Sequence, residues 1–544
     1  MKTNSLLTAI VLSLLIPFTA NAQDNPRNSV FSPYKSGASP LFGKDIVIYD
    51  DPTVNQENLA ICTAFNGWLF AALTYQKPEG VYATILQSTD NGLTWEVKMD
   101  ESANFTNNII TRLSLTTSGD SPSNIKLYMG VIFKDTIYQI STPFLGSYNI
   151  DPFSGAGELL NDFFNMSYDI ALCNDFLNPA AGSNPNSIGV LYSKSGTKDS
   201  IIFRSSSNGG TSLDKRCIVR VTSNHVNKVS LAYGVSESYP TGRYFAVWEE
   251  KDSPYSDYGH LYTAHSEPAF NSSFTQTICL DSLDNLLINQ CKNPSIACQH
   301  GSYDNDSANI TTVILYETKN PNDLSDDING FYNRQSATSN MFHSFILTGQ
   351  EDNDLQPDIC FNSYDSTFIA TYYNISSQNL PFVKNNVNLD SPDSWSIVTI
   401  GYNDEHTLLA PCPKVILNYE KETGANAWIS ESSNGNGKSL FDAFYSTYTG
   451  TENIYLAGSK IDLVIYPNPC TSTITIEFLN FNLEHITISF MNMFGQSLKC
   501  ISNTEFDAGR HKITSDVSAY PAGSYLIYCR GDDFFMTTQI NIIR

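Results

Sequence analysis

The chain has 544 residues, too many for one hydrophobic core, so two or more domains are expected. Asp and Glu total 55 against 31 Lys and Arg, a formal charge of −24. That balance argues against nucleic acid and anionic membrane as partners, since both need a basic face.

The N-terminus reads as an export signal. Lys2 gives a positive start, Leu6 to Phe18 an apolar run of about 13 residues, and Ala20-Asn21-Ala22 a small-x-small cleavage site, so residues 1–22 are expected to be removed. The run is too short for a membrane span, and no other stretch approaches spanning length. Residues 23–44 are rich in Ser, Pro, Asn and Gly without periodicity and read as a leader. Asp45-Ile46-Val47-Ile48-Tyr49 then looks like a short strand ahead of a repeat.

From Leu59 to about Tyr455 the sequence repeats loosely, with a period of about 50 to 65 residues. Each unit opens on a small apolar strand, crosses a polar turn and continues on a stronger strand. The pairs are 59–62 with 69–75, 113–115 with 125–131, 169–172 with 188–192, 229–233 with 244–248, 294–297 with 312–316, 357–360 with 368–373, and 413–417 with 425–429. No amphipathic helix is apparent between them. Short strands at this spacing predict an all-β fold, a β-propeller of about seven blades over residues 45–456, with a pair of β-sandwiches as the alternative. The strand at Ile46 could complete the seventh sheet and leave few open edges.

One octapeptide stands out in the first unit: Ser88-Thr89-Asp90-Asn91-Gly92-Leu93-Thr94-Trp95. Ser88 and Asp90 can accept hydrogen bonds from turn amides, Gly92 supplies a positive φ, and Trp95 anchors the outgoing strand. This S-x-D-x-G-x-T-W pattern resembles the Asp box, or BNR repeat, of sialidase-type propellers. Softened copies run from Ser206 to Leu213, through Asn208, Gly210 and Ser212, and from Ser433 to Leu440, through Gly435, Gly437 and Ser439. The second contains Gly437-Lys438-Ser439, but Ser432 stands where a P-loop needs its first glycine.

Beyond Leu456 the composition shifts. Tyr466-Pro467-Asn468-Pro469 opens a run of alternating strands, followed by Gly495 and by Pro521-Ala522-Gly523-Ser524-Tyr525. Residues 461–544 thereby resemble the type A C-terminal sorting domain of the Bacteroidota type IX secretion system. That resemblance implies an Ig-like β-sandwich read by the outer-membrane export machinery, then cut off as the cargo reaches the cell surface. Gln539 departs from it, standing where the family often has Lys.

Eleven cysteines are an odd number for an exported chain, so at least one is expected outside any intrachain disulfide. Cys62, Cys173, Cys298 and Cys360 recur at one position of the repeat and read as small buried hydrophobes. Cys279 and Cys291 bracket one loop and are the best disulfide candidate. No C-x-x-C pair, H-E-x-x-H or G-x-S-x-G is present, and nothing pairs His260 and His265 with a ligand. The Asp box invites comparison with sialidases, which resemble one another in an arginine triad clamping the substrate carboxylate. Here no arginine lies between Arg27 and Arg112, so the first triad position is empty and sialidase activity is not expected. Glu249-Glu250 and Asp50-Asp51 are carboxylate pairs at strand ends, expected to be exposed, with one member of each facing any site. Acidic runs at 304–306, 323–327 and 351–354 could hold calcium, and no other cofactor is implied. Arg530-Gly531-Asp532 sits at a hairpin and reads as coincidence, while Thr136, Ser200, Ser282 and Ser307 resemble the Bacteroidota O-glycosylation pattern.

These readings converge on a secreted or cell-surface propeller that binds extracellular glycan or protein. Trp248 and Glu249 mark its possible ligand face, and Tyr233, Tyr372 and Trp428 are available to stack on sugars. The alternative is a glycan-cleaving hydrolase whose acids are not located. A central cluster of carboxylates at the axis would favour the enzyme, an apolar or aromatic-rimmed face the binder.

Overall fold

The computed structural model describes residues 45–444 and 462–544 apart from short stretches, of which the longest are 175–187, 300–308, 386–394 and 400–411. The signal and leader lie outside the described residues. All the elements described are strands, and the chain separates into two compact units, Asp45–Asp442 and a second containing Ala443–Arg544.

The first unit holds seven four-stranded antiparallel sheets. Their leading strands are Gln56–Thr63, Asn108–Ser118, Ile170–Asn174, His225–Gly234, Cys291–Cys298, Asp354–Asn362 and Lys414–Asn418, numbered here as sheets 1 to 7. Each predicted pair of strands becomes the first two strands of one sheet. In sheets 1 to 6 the four strands follow in chain order; in sheet 7 the fourth is Ile46–Val47, which pairs Ile46 with Phe441 and Val47 with Leu440. Leading strands of consecutive sheets touch, and that of sheet 1 touches that of sheet 7.

The second strands show why the sequence reads as apolar runs and not as alternation. Leu69 to Tyr75 and Ile310 to Thr318 are buried on both faces, because each sheet lies between two others. Cores such as Ile85, Met99, Leu127 and Phe144, or Leu191, Phe203, Val229 and Trp248, fill the spaces between sheets. Burial at about 25 cal/mol per Å² of apolar surface is the main cohesive term.

Polar joints then fix the order of the sheets. Asn58 Nδ2 donates to the Ile110 carbonyl at 3.0 Å, and the Leu172 amide to Ser114 Oγ at 3.0 Å. The Val229 amide donates to Asp169 at 2.9 Å, the Asn293 amide to Glu249 at 3.3 Å and the Gln356 amide to Glu317 at 2.7 Å. The Val415 amide donates to Asp358 at 2.9 Å, and the Ser439 amide to Gln56 Oε1 at 2.7 Å. Every consecutive pair of sheets, including the last with the first, thus shares a side-chain-to-backbone hydrogen bond. Each also satisfies a backbone amide or, at Ile110, a carbonyl that would be costly to bury unpaired.

The octapeptide forms the turn between the third and fourth strands of sheet 1. Ser88 Oγ accepts from the Gly92 amide at 2.8 Å, and Asp90 from the Thr94 amide at 2.9 Å. Gly92 has φ +89°, and a Cβ there would fall 2.0 Å from Phe441. Trp95 meets the same Phe441 edge-on at 5.5 Å, so the aromatic anchor packs on sheet 7. The copy beginning at Ser206 falls largely outside the described residues, as do Ser433 and Gly435 of the other.

The second unit has two antiparallel sheets. One joins Asp462–Tyr466, Thr473–Asn480 and Gly509–Asp516; the other joins Ser497–Phe506, Glu484–Asn492, Gly523–Arg530 and Phe535–Ile542. Ile474, Ile476 and Phe478 of the first share one core with Ile486, Ile488, Phe490 and Ile527 of the second. Tyr525 donates its hydroxyl to the Pro521 carbonyl at 2.9 Å, and Asn468 Oδ1 accepts from the Asn541 amide at 2.9 Å. Gly495 and Gly531-Asp532 are outside the described residues.

Candidate functional site

Within each sheet the leading strand begins where the second strand ends, and this end of sheets 2 to 7 gathers the charged side chains. Five of the leading strands carry an irregularity near their start with a polar residue just after it: Asn58, Arg112, Lys228, Ser295 and Asp358. A bulge inserts one residue and re-aims the side chains that follow. Asp169 is only 1% exposed, and it takes Arg112 Nε at 3.3 Å and Lys228 Nζ at 3.3 Å. Asp358 takes Lys414 Nζ at 3.6 Å and Ser295 Oγ at 3.2 Å. Burial alone would lower the Lys414 pKa, but Asp358, Cys412 and Asp169 outweigh it and hold the ammonium above its usual value. Asp169 and Lys414 belong to sheets 3 and 7, so the two ion-paired groups influence each other across the leading strands.

The acids at the ends of the second strands are buried. Glu250 takes Arg220 Nε at 3.0 Å, Thr222 Oγ1 at 2.8 Å and Trp248 Nε1 at 2.9 Å, with no exposed surface. Glu249 faces the other way, to Asn227 at 3.2 Å and the Asn293 amide, with Lys251 at 3.3 Å. Glu317 takes Asn293 Nδ2 at 2.7 Å and Lys292 Nζ at 3.2 Å. Burial raises the pKa of both Glu249 and Glu317, only partly offset by these donors. Tyr258 donates to Asp326, and burial together with that bond pushes its hydroxyl up to about 12.

The expectation of exposed Glu249-Glu250 is therefore corrected. Alternation does send the two carboxylates to opposite faces, but each face meets a neighbouring sheet: Glu250 points to sheet 3 and Glu249 to sheet 5. Neither they nor Trp248 offer a surface to a ligand, Trp248 being fully buried and stacked on Tyr262 at 6.1 Å. Tyr233, Tyr372 and Trp428 are buried too, at 2, 6 and 0% exposure, so they serve as core. The second member of the other carboxylate pair, Asp51, caps a local turn through the Thr53 amide at 3.0 Å; Asp50 is outside the described residues. Of the acidic runs, Asp326 lies beside Lys292 and Lys319, and Asp354 accepts from Asn374; residues 304–306 are outside the described residues.

A cavity of about 190 Å³ opens between the leading strands of sheets 2 to 6. Cys173, Cys298 and Cys360 lie on it with Thr116, Ala232 and Ile296, which explains their recurrence as small side chains at one register position. None of the eleven cysteines is in a disulfide, including Cys279 and Cys291. The arginines are divided. Arg112 and Arg220 lie at the charged end, whereas Arg204 and Arg243 are at the opposite end, Arg204 near Glu158 and Arg243 over the Tyr239 ring at 4.2 Å.

Residues 464–543 match a family model described as a secretion system C-terminal sorting domain. The tail is an export signal. It marks the chain as a Bacteroidota-type secreted protein with its place at the cell surface or beyond, and implies contact with the type IX machinery. The match covers the second unit and leaves the seven sheets unassigned. No curated protein matches the chain. Among solved structures, the chain is similar to an α-L-arabinofuranosidase of Fusarium graminearum at 12% identity and TM-score 0.39, covering 74% of this chain and 98% of that one. It is also similar to the NanB sialidase of Streptococcus pneumoniae at 8% identity and TM-score 0.38, covering 69% and 70%. A third likeness is to polysaccharide lyase Uly1, at 6% identity and TM-score 0.41, covering 78% and 94%. Likeness at this level identifies no activity.

Proposed function

We propose that residues 45–456 form a seven-bladed β-propeller that serves as an exported binding module, taking its ligand at the end where the leading strands begin. The cyclic contact of those strands and the completion of sheet 7 by Ile46–Val47 support the ring. One observation carries the ligand reading. Arg112, Lys228 and Lys414 are 41, 32 and 32% exposed, while their counter-ions Asp169 and Asp358 are 1 and 19% exposed beneath them. Solvent at this end meets cations, which fit a glycan or protein presenting carboxylate or sulfate groups. The protein's net negative charge works against such a ligand at long range, so recognition is confined to contact distance. The Ig-like sorting domain would be removed on export, leaving a mature surface form from near Gln23 to shortly before Tyr466.

A glycan array and extracellular-matrix screen of the mature chain tests this. Binding to uronate-bearing or sulfated ligands, weakened at least tenfold by Arg112→Gln with Lys414→Gln and by raised salt, is the expected result. Binding to neutral ligands alone, unmoved by the double variant, would place the ligand elsewhere. Asp169 and Asp358 do place carboxylates at the leading strands, as a hydrolase would need, but both are engaged by cations; release of sugar products would put the hydrolase reading first.

A further inference from the structure

Sheet 4 has the weakest outer edge of its neighbours. Its third strand, His260–His265, carries a fourth of two residues, Ile278–Cys279, and only Tyr262–Cys279 and Thr263–Ile278 pair between them. Three chemically distinct side chains converge at this edge. His260 Nδ1 lies 2.7 Å from Asp281 Oδ2, and Cys279 Sγ lies 3.1 Å from Asp281 Oδ1. All three donor atoms lie within 4.8 Å of one another.

We propose that His260, Cys279 and Asp281 form a site for a borderline-soft divalent metal ion of the zinc class, which clips the short fourth strand of sheet 4 to the third. Imidazole, thiolate and carboxylate are the donors zinc takes, at about 2.0–2.3 Å each, so tetrahedral neighbours would stand about 3.4–3.6 Å apart. The two spacings to Asp281 are hydrogen-bond lengths and would open by less than about 1 Å, while His260 and Cys279, within 4.8 Å of each other, would settle at about 3.5 Å around the ion. The ligands are held from behind. The Leu261 amide donates to Asp281 Oδ1 at 3.2 Å and fixes a carboxylate only 1% exposed, and Ser282 Oγ ties the turn to the Cys279 carbonyl at 2.8 Å. His260 is 19% exposed and Cys279 half-buried, so an ion can enter from solvent and keep one position for water. Burial and the adjoining Asp281 carboxylate hold the Cys279 thiol above its usual pKa, a cost that a dication between the two would reverse. Metal binding releases the thiol proton to solvent.

The test uses the reduced, chelator-treated full-length chain with Zn²⁺ or Co²⁺ alone. One equivalent should bind, Co²⁺ should give a thiolate-to-cobalt charge-transfer band that Zn²⁺ displaces, and the Tm should rise with zinc and saturate. Cys279→Ser should abolish the band, and His260→Gln and Asp281→Asn should each weaken binding at least tenfold. Cys500→Ser, which removes an exposed thiol in the other unit, should leave all of these unchanged. If a variant fails to fold, the remaining two and the wild-type cobalt spectrum decide. Lack of stoichiometric binding, a band that survives Cys279→Ser, or a Cys279–Cys291 disulfide in the exported protein would each overturn the site.

Discussion

The two ends of the seven-sheet unit are built from the same strands and hold together differently. Where the leading strands begin, buried carboxylates are paired with cations: Asp169 with Arg112 and Lys228, Glu250 with Arg220, Glu317 with Lys292. At the opposite end the octapeptide turn relies on short local hydrogen bonds and on an aromatic contact between sheets 1 and 7. The first end depends on buried acids that need their partners, the second on shape. That contrast predicts which end tolerates change, and which end can evolve a ligand without losing the fold.

The hardest blow should come from Glu250→Ala. It leaves Arg220, Thr222 and Trp248 Nε1 without their acceptor, and breaking a buried pair from one side costs about 3–5 kcal/mol. Chemical denaturation should show that loss; a cost under about 1 kcal/mol would mean the network is dispensable. At the opposite end, Gly92→Ala should cost about 1–3 kcal/mol, because the new Cβ meets Phe441 and the positive φ disfavours any side chain. Asp90→Ala should cost about 1–2 kcal/mol by orphaning the Thr94 amide and hydroxyl, and leave ligand binding intact. A stable Asp90→Ala chain that no longer binds would move the ligand to the octapeptide end.

A pH series separates the ends further. Glu249 and Glu317 have folded pKa values raised by burial, so the folded state holds protons that the unfolded state has lost. Their contribution therefore falls as pH rises from the unfolded value of about 4.3 towards the folded one, by at most about 1.4 kcal/mol per pH unit per group. Glu249→Gln should flatten that fall, and an unchanged slope would show that the carboxylate titrates normally. The smallest expected effect is none: the mature chain should release no sialic acid from a fluorogenic sialoside. Arg112 and Arg243 lie at opposite ends of their sheets, so these two cannot grip one substrate carboxylate. Turnover abolished by mutating either arginine would contradict that.

The repeat was legible because second strands buried on both faces must be apolar for six or seven residues, and turns must punctuate them. The octapeptide was legible because its side chains act on their own backbone. The charged end was not. Asn293, Gln356 and Cys412 adopt positive φ without being glycine, held there by acceptors on the preceding sheet, and no local pattern announces that. Glu249 and Glu250 looked like exposed ends because the sequence does not say that two other sheets cover them. The His260, Cys279 and Asp281 cluster draws on two strands and a turn; Cys279 reads as half of a disulfide and His260 as a residue with no partner, because Asp281 meets it from 21 residues away.

The strand Ile46–Val47 finishes the last sheet with residues from the start of the folded chain. Synthesis must therefore reach Phe444 before the unit can be complete, and until then Ile46–Val47 has no strand to pair with and Thr423–Glu431 presents a bare edge to any other chain. The sorting segment is the next part of the chain to be made. A message cut short yields a product that has neither the strand its latch pairs with nor its export address, so only a chain able to close carries the label for leaving.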